Sequence, residues 1–168
     1  MMRNIVLIGM PGCGKSTVGV VLAKTLGTGF TDTDLIIQQR EKRLLQNIID
    51  TDGLEAFLDI EMNAILSVED KGSVIATGGS AVLREKAMKK LAEDGVIVFL
   101  DVSPETLAKR LANIRTRGIA APSGQSIEEI YSERIPLYRQ YADIVLKADE
   151  QSVEKTVEKL IAELNRIQ

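Results

Sequence analysis

Apolar residues along this chain fall into two alternating patterns. Continuous runs at 5–8, 73–76 and 96–100 read as strands buried on both faces. Gly9 ends the first run, and Gly78-Gly79 follow the second. Between the runs, apolar positions recur at helical spacing. Residues 15–26 form one such stretch, closed by Gly27. Residues 52 to about 68 form another, with Leu54, Phe57, Leu58, Met62, Ile65 and Leu66 on one stripe. A helix over 83–93 ends near Gly95, and one from Pro104 to about 113 takes Ser103 as its N-cap. Ser126 and Glu129 make a capping-box pair that opens another. The last helix starts at Ser152 and turns Val153, Val157, Leu160, Ile161 and Leu164 inward. Short strands around Phe30 and over 143–146 complete the set. Strands separated by helices predict an α/β fold: a parallel sheet flanked by helices. One stretch, 115–125, lacks periodicity and is rich in Gly, Ala, Pro and Ser, as an active-site lid would be. At 168 residues the chain has the size of one domain.

Composition narrows the chemistry. The chain has no histidine, which excludes Ser-His-Asp and Cys-His nucleophile pairs, His-ligated metals and imidazole proton shuttles. Its single cysteine excludes an internal disulfide and Cys-clustered metal sites, and fits a reducing, cytosolic setting. Catalysis would therefore rest on carboxylates, Lys, Arg, backbone amides or a hard metal ion. With 21 basic and 24 acidic side chains there is no excess charge for a nucleic acid or a membrane surface. The N-terminal apolar run lacks the cleavage site of a signal peptide, and no run approaches the roughly 20 apolar residues that span a bilayer. A cytoplasmic location is expected.

Gly9-Met10-Pro11-Gly12-Cys13-Gly14-Lys15-Ser16 matches G-x-x-x-x-G-K-[ST], the P-loop, and it sits between a predicted strand and a predicted helix. Its glycines let backbone N–H groups, including those of Gly12, Cys13 and Gly14, turn inward around phosphate oxygens. The helix N-terminus adds positive potential there. Lys15 is placed to neutralise the β/γ-phosphates, and the Ser16 hydroxyl to reach Mg²⁺. Thr17 is a further candidate for the nucleotide side, with surface capping as its plainer role. Cys13 reads as a small filler of the loop, with a reactive thiol as the alternative.

Further motifs are Asp32-Thr33-Asp34, Thr77-Gly78-Gly79, and Arg134-Ile135-Pro136-Leu137-Tyr138 followed by Ala142-Asp143. Together with the P-loop, at matched spacing over essentially the whole chain, they resemble the shikimate kinase family of the nucleoside-monophosphate-kinase-like group. The resemblance implies a three-layer P-loop NTPase fold with a five-stranded parallel sheet and a mobile lid at about 112–125. It implies a single kinase domain over 1–168, with the acceptor-binding region at about 32–62. The implied reaction is ATP- and Mg²⁺-dependent phosphorylation of the 3-hydroxyl of shikimate, on the route to chorismate and the aromatic amino acids, by a monomer. Position by position, Asp32 would hold Mg²⁺ with Ser16, and Asp34 would bind acceptor hydroxyls as base or orienter. Gly78 and Gly79 would bring backbone against the acceptor, and Arg134 would bind its carboxylate. Arg110 would stack on adenine, and Arg117 would reach the phosphates from the lid. Plainer roles remain open: helix capping for Asp32 and Asp34, solvated surface for Arg110 and Arg117, a structural ion pair for Arg134.

Departures from the family pattern fall on the acceptor side. Leu58 stands where the family has a second carboxylate-binding arginine, next to Asp59, while Glu61, its usual support, is kept. Loss of one charge-assisted hydrogen bond, roughly 1.5–3 kcal/mol, is expected to weaken shikimate binding, and Leu58→Arg to restore it. Ser80 replaces a third glycine, adding a Cβ where close approach is expected, and the lid reads Arg117-Gly118-Ile119-Ala120. Two alternatives stand beside shikimate: a kinase for another polyhydroxy compound, and a nucleotide-binding regulatory protein without catalysis.

Overall fold

The computed structural model describes residues 3–112, 118–149 and 152–167. Five parallel strands form one sheet: β1 (Asn4–Ile8), β2 (Phe30–Asp32), β3 (Val74–Ala76), β4 (Gly95–Asp101) and β5 (Ile144–Lys147). Their spatial order is β2-β3-β1-β4-β5, so β1 is central and the chain crosses to its other side after β3. β1 runs in register with β3 from Ile5 opposite Val74, and with β4 from Asn4 opposite Gly95. Such a crossing point leaves a crevice at the carboxyl ends of the strands, where α/β proteins bind ligands.

Burial explains why the runs become strands. All seven residues of β4 are buried, whereas β5 buries Ile144 and Leu146 and exposes Val145, as an edge strand should. Among the described residues eight helices accompany the sheet: α1 (Lys15–Leu26), α2 (Thr33–Glu41), α3 (Leu45–Asp52), α4 (Leu54–Leu66), α5 (Glu85–Glu93), α6 (Pro104–Ala112), α7 (Ile127–Tyr141) and α8 (Val153–Ile167). α1 packs on α8, while α5 and α7 lie against β4. The expected caps form. Ser126 Oγ accepts from Glu129 N at 3.1 Å while Glu129 Oε2 accepts from Ser126 N at 3.0 Å. Phe99 of β4 stacks on Tyr138 of α7 with ring centroids 5.0 Å apart, joining the sheet to that helix.

The structure differs from the sequence reading at two helix starts and by two added helices. The helix expected from 52 begins at Leu54, because Gly53 takes φ 90°, a conformation that interrupts the chain between α3 and α4. α2 and α3 were not expected as separate helices. α2 carries Leu35, Ile36 and Ile37 in succession rather than at helical spacing, and only Thr33 and Ile37 are buried. The helix expected from 83 starts at Glu85, after a single 3₁₀ turn at Ala81–Leu83. α2, α3 and α4 enclose a second small core of Ile37, Leu45, Ile48, Phe57, Leu58 and Ala64, with Ala120 packed onto it. The lid expected at 112–125 falls partly on 113–117, outside the described residues. Residues 118–120 have no regular structure and lie over α3, the Gly118 Cα facing the backbone of Leu45 and Gln46.

Candidate active site

The crevice begins where β1 stops. Gly9, Gly12 and Gly14 take φ 148°, 82° and 98°, so the chain turns back on itself into α1. A Cβ at Gly9 would lie 2.8 Å from the Leu100 carbonyl oxygen and 2.9 Å from Cys13 Sγ, so glycine is required there. Gly14 is the N-cap of α1 and contributes no side chain, leaving the first N–H groups of the helix directed at the crevice. The Lys15 ammonium is buried and donates to the carbonyls of Gly9 at 2.8 Å and Met10 at 3.0 Å. Cys13 is buried in the loop as a filler, 3.6 Å from Lys15 Nζ. Thr17 is exposed.

Asp32, at the end of β2, does two jobs at once. Its Oδ1 accepts from Asp34 N at 2.9 Å and caps α2, while its Oδ2 accepts from the Ser16 hydroxyl at 2.6 Å. The capping role and the pairing with Ser16 are therefore not alternatives. Two hard oxygen donors meeting beside a phosphate-binding turn suit Mg²⁺, which takes few protein ligands and fills its shell with water and phosphate oxygen.

On the other wall, Thr77 Oγ1 donates to the Leu7 carbonyl at 3.0 Å and fixes the exit of β3 beside β1. A Cβ at Gly78 would lie 2.0 Å from Glu61 Oε2 and 2.9 Å from Asp34 Oδ1, so two carboxylates close directly over this glycine. A Cβ at Gly79 would lie 2.6 Å from Pro11 Cδ, so this glycine seats the turn against the P-loop. The buried Tyr138 hydroxyl donates to the Gly79 carbonyl at 2.5 Å, and desolvation pushes its pKa up. Lys15, Ser16, Asp34, Glu61, Gly78, Gly79, Ser80 and Arg134 line one pocket, closed on its apolar side by Leu45, Phe57 and Ala120.

The sequence keeps Glu61 from the family pattern, and the structure adds it to the pocket. It is 1% exposed, and burial, with the nearby Asp34 charge, raises its pKa from 4.5 to about 7 against the lowering effects of the Ser80 hydrogen bond, Arg134 and Lys15. Ser80 Oγ donates to Glu61 Oε1 at 2.6 Å, while Oε2 is buried without a hydrogen-bond partner. Arg134 is also buried. One nitrogen, Nη2, donates to the Ala120 carbonyl; Nη1 has no hydrogen-bond partner, and the residue makes no ion pair among the described residues. Arg110 is half-buried rather than solvated: it donates to the Gly12 carbonyl at 3.3 Å and the Asp149 carbonyl at 3.2 Å, tying the P-loop to the segment after β5. Arg117 lies outside the described residues.

The departures look different in three dimensions. Leu58 is 3% exposed and packs into the second core, so it does not line the pocket. Ser80 does line it, but its Cβ is accommodated; the close approaches fall on Gly78 and Gly79. No group of three or more Cys, Asp or Glu able to hold a metal occurs among the described residues, and none of the helices is long and apolar enough to cross a membrane.

Comparison with known proteins agrees with this geometry. The shikimate kinase from Thermodesulfovibrio yellowstonii is 38% identical over 99% of this chain and 97% of its own. That from Pseudomonas syringae pv. tomato is 37% identical over 97% and 96%. Among solved structures, a shikimate kinase from Acinetobacter baumannii in complex with shikimate superimposes with a TM-score of 0.93 at 26% identity, covering 100% of this chain and 96% of that one. The shikimate kinase from Aquifex aeolicus gives a TM-score of 0.80 at 30% identity, over 96% of each chain. The family model described as Shikimate kinase matches residues 11–165, and the chain belongs to the shikimate kinase family.

Proposed function

We propose that this chain transfers the γ-phosphoryl group of ATP to the 3-hydroxyl of shikimate. The observation that carries this reading is a shared pocket: Lys15 and Ser16 of the phosphate-binding turn open onto the same cavity as Asp34, Glu61 and Arg134. Phosphoryl transfer depends on positioning and charge rather than on a strong base. The N–H groups of Gly12, Cys13 and Gly14, with Lys15, would hold the phosphates. Ser16 and Asp32 would hold Mg²⁺, which supplies charge neutralisation on the transferred group. Asp34 would orient the attacking hydroxyl, and Gly78 and Gly79 would let the acceptor lie against backbone. The Arg134 Nη1, buried and without a partner, would bind the acceptor carboxylate. Arg110 would flank adenine, Thr17 would lie beyond it, and Arg117 would close on the phosphates from a lid at about 112–125. The acceptor side would be carried chiefly by 32–62 within one domain. The reading includes a monomeric, cytoplasmic enzyme acting on small molecules.

A second reading, a different polyhydroxy acid as acceptor, is favoured by one observation. Leu58 points into the second core, so Arg134 is the only guanidinium lining the pocket among the described residues. Coupled ADP release decides. Rapid turnover with sub-millimolar shikimate is expected; ADP release that requires another polyhydroxy acid would favour the second reading, and none with any acceptor would refute both.

A further inference from the structure

We infer that Ser80 is a positioning residue of the acceptor pocket, which holds the Glu61 carboxylate so that Glu61 and Arg134 each present one free polar atom to the acceptor. The inference rests on the reading of this pocket as the acceptor site.

Three facts carry it. First, Ser80 is 3% exposed, and its hydroxyl donates to Glu61 Oε1 at 2.6 Å. A buried hydroxyl has one proton to give, and this one is given to a carboxylate. Second, the opposite oxygen, Oε2, is buried, lies against Gly78 and has no hydrogen-bond partner. Third, Arg134 Nη1 is likewise buried and makes no hydrogen bond, although Arg134 is near enough to act electrostatically on Glu61 and on the Tyr138 hydroxyl. A buried carboxylate and a buried guanidinium in one pocket would ordinarily close into a bidentate pair. Here they do not. The Ser80 hydroxyl occupies one oxygen of Glu61, and the Ala120 carbonyl occupies one nitrogen of Arg134. What remains is one buried acceptor and one buried donor, on two residues that line the same cavity. A polyhydroxy acid matches them: a hydroxyl donates to Oε2, and the carboxylate accepts from Nη1.

Among the described residues Glu61 has no direct cationic partner. The charged groups around it are Asp34 from α2, Arg134 from α7 and Lys15 from α1, with the Tyr138 hydroxyl beyond. Ser80 is the only one of its neighbours that donates a hydrogen bond to it among the described residues. The residue therefore also favours the ionised form of Glu61, the form that accepts from an acceptor hydroxyl.

Ser80→Ala tests this by removing one oxygen atom. The steady-state KM for shikimate is expected to rise about ten-fold or more, with the KM for ATP within two-fold. In the nucleotide-free enzyme, carboxyl-carbon NMR should show the Glu61 midpoint moving upward from its wild-type position, with the thermal midpoint checked in parallel to establish folding. An unmoved Glu61 midpoint would overturn the inference. So would an unchanged KM for shikimate, or equal changes in both KM values. Absence of shikimate turnover in the wild-type enzyme would instead overturn the proposed function. The Glu61 titration, which needs no acceptor, would then decide the role of Ser80 by itself.

Discussion

Glu61→Gln should stabilise the protein, and should do so only at neutral to alkaline pH. A carboxyl whose pKa rises on folding binds its proton more tightly in the native state than in the unfolded one. As pH rises from the ordinary value of 4.5 to about 7, the unfolded chain releases this proton while the folded chain retains it. Stability therefore falls across that window and levels off above it. At about 1.4 kcal/mol per pH decade, the full cost of the buried charge is roughly 3 kcal/mol at pH 8 and close to nothing at pH 4. Glutamine keeps an oxygen to accept from Ser80 Oγ but cannot ionise, so it isolates the charge from the hydrogen bond. For a domain of this size the gain corresponds to a rise in Tm of roughly 6–12 °C at pH 8. Thermal melts of both proteins at pH 5 and pH 8 measure the difference. Equal Tm shifts at the two pH values, or a variant less stable at pH 8, would refute the claim that Glu61 is a desolvated charge only partly offset by its neighbours. Turnover should fall in the same variant, since the neutral amide is a poorer acceptor. Stability and activity would then move in opposite directions, as expected for a charge kept for function.

Three further outcomes follow from the same geometry. Lys15→Ala removes the buried ammonium at the P-loop and should lower ADP release at least about 100-fold with little change in Tm; unaltered turnover would remove the phosphate role. Gly78→Ala places a Cβ within 2.0 Å of Glu61 Oε2, so it should impair acceptor use while leaving ADP affinity, measured by calorimetry, within a few-fold. Leu58→Arg, expected from sequence to lower the KM for shikimate, also puts a guanidinium into an apolar cluster and should destabilise by about 3 kcal/mol, read by urea denaturation. A Leu58→Arg enzyme of full stability and lower KM for shikimate would show that residue 58 can reach the acceptor.

What could be read from the sequence, and what could not, divides by the range of the contacts involved. The P-loop was legible because its geometry is local. Three glycines, a lysine and a serine within eight residues dictate a turn with inward N–H groups, and the strand before it and helix after it have their own periodicity. The capping box at Ser126 was legible for the same reason. α2 and α3 were not, since their buried positions are too few to set a period and their place is fixed by packing on α4. The acceptor wall is harder still, because its partners lie far apart in the chain: Glu61 meets Ser80 across 19 positions, and Tyr138 meets Gly79 across 59.

Leu58 and Ser80 take on a joint meaning once the fold is known. The sequence shows a missing cation and a serine in place of a glycine as two separate deficits. In the structure, the position that lacks the cation contributes an apolar side chain to the second core, and the serine supplies the hydrogen bond that the buried Glu61 receives. A carboxylate as buried as Glu61 requires a donor, since an unpartnered one costs several kcal/mol or loses its charge. With Leu58 offering none, the hydroxyl of Ser80 is what lets Glu61 stay in the pocket as an acceptor. The two departures are therefore one rearrangement. The combined variant Leu58→Arg/Ser80→Gly should accordingly lose less stability than the sum of the single changes, because the new guanidinium can then pair with the oxygen that Ser80 releases. Strict additivity in urea denaturation would show the two positions to be independent.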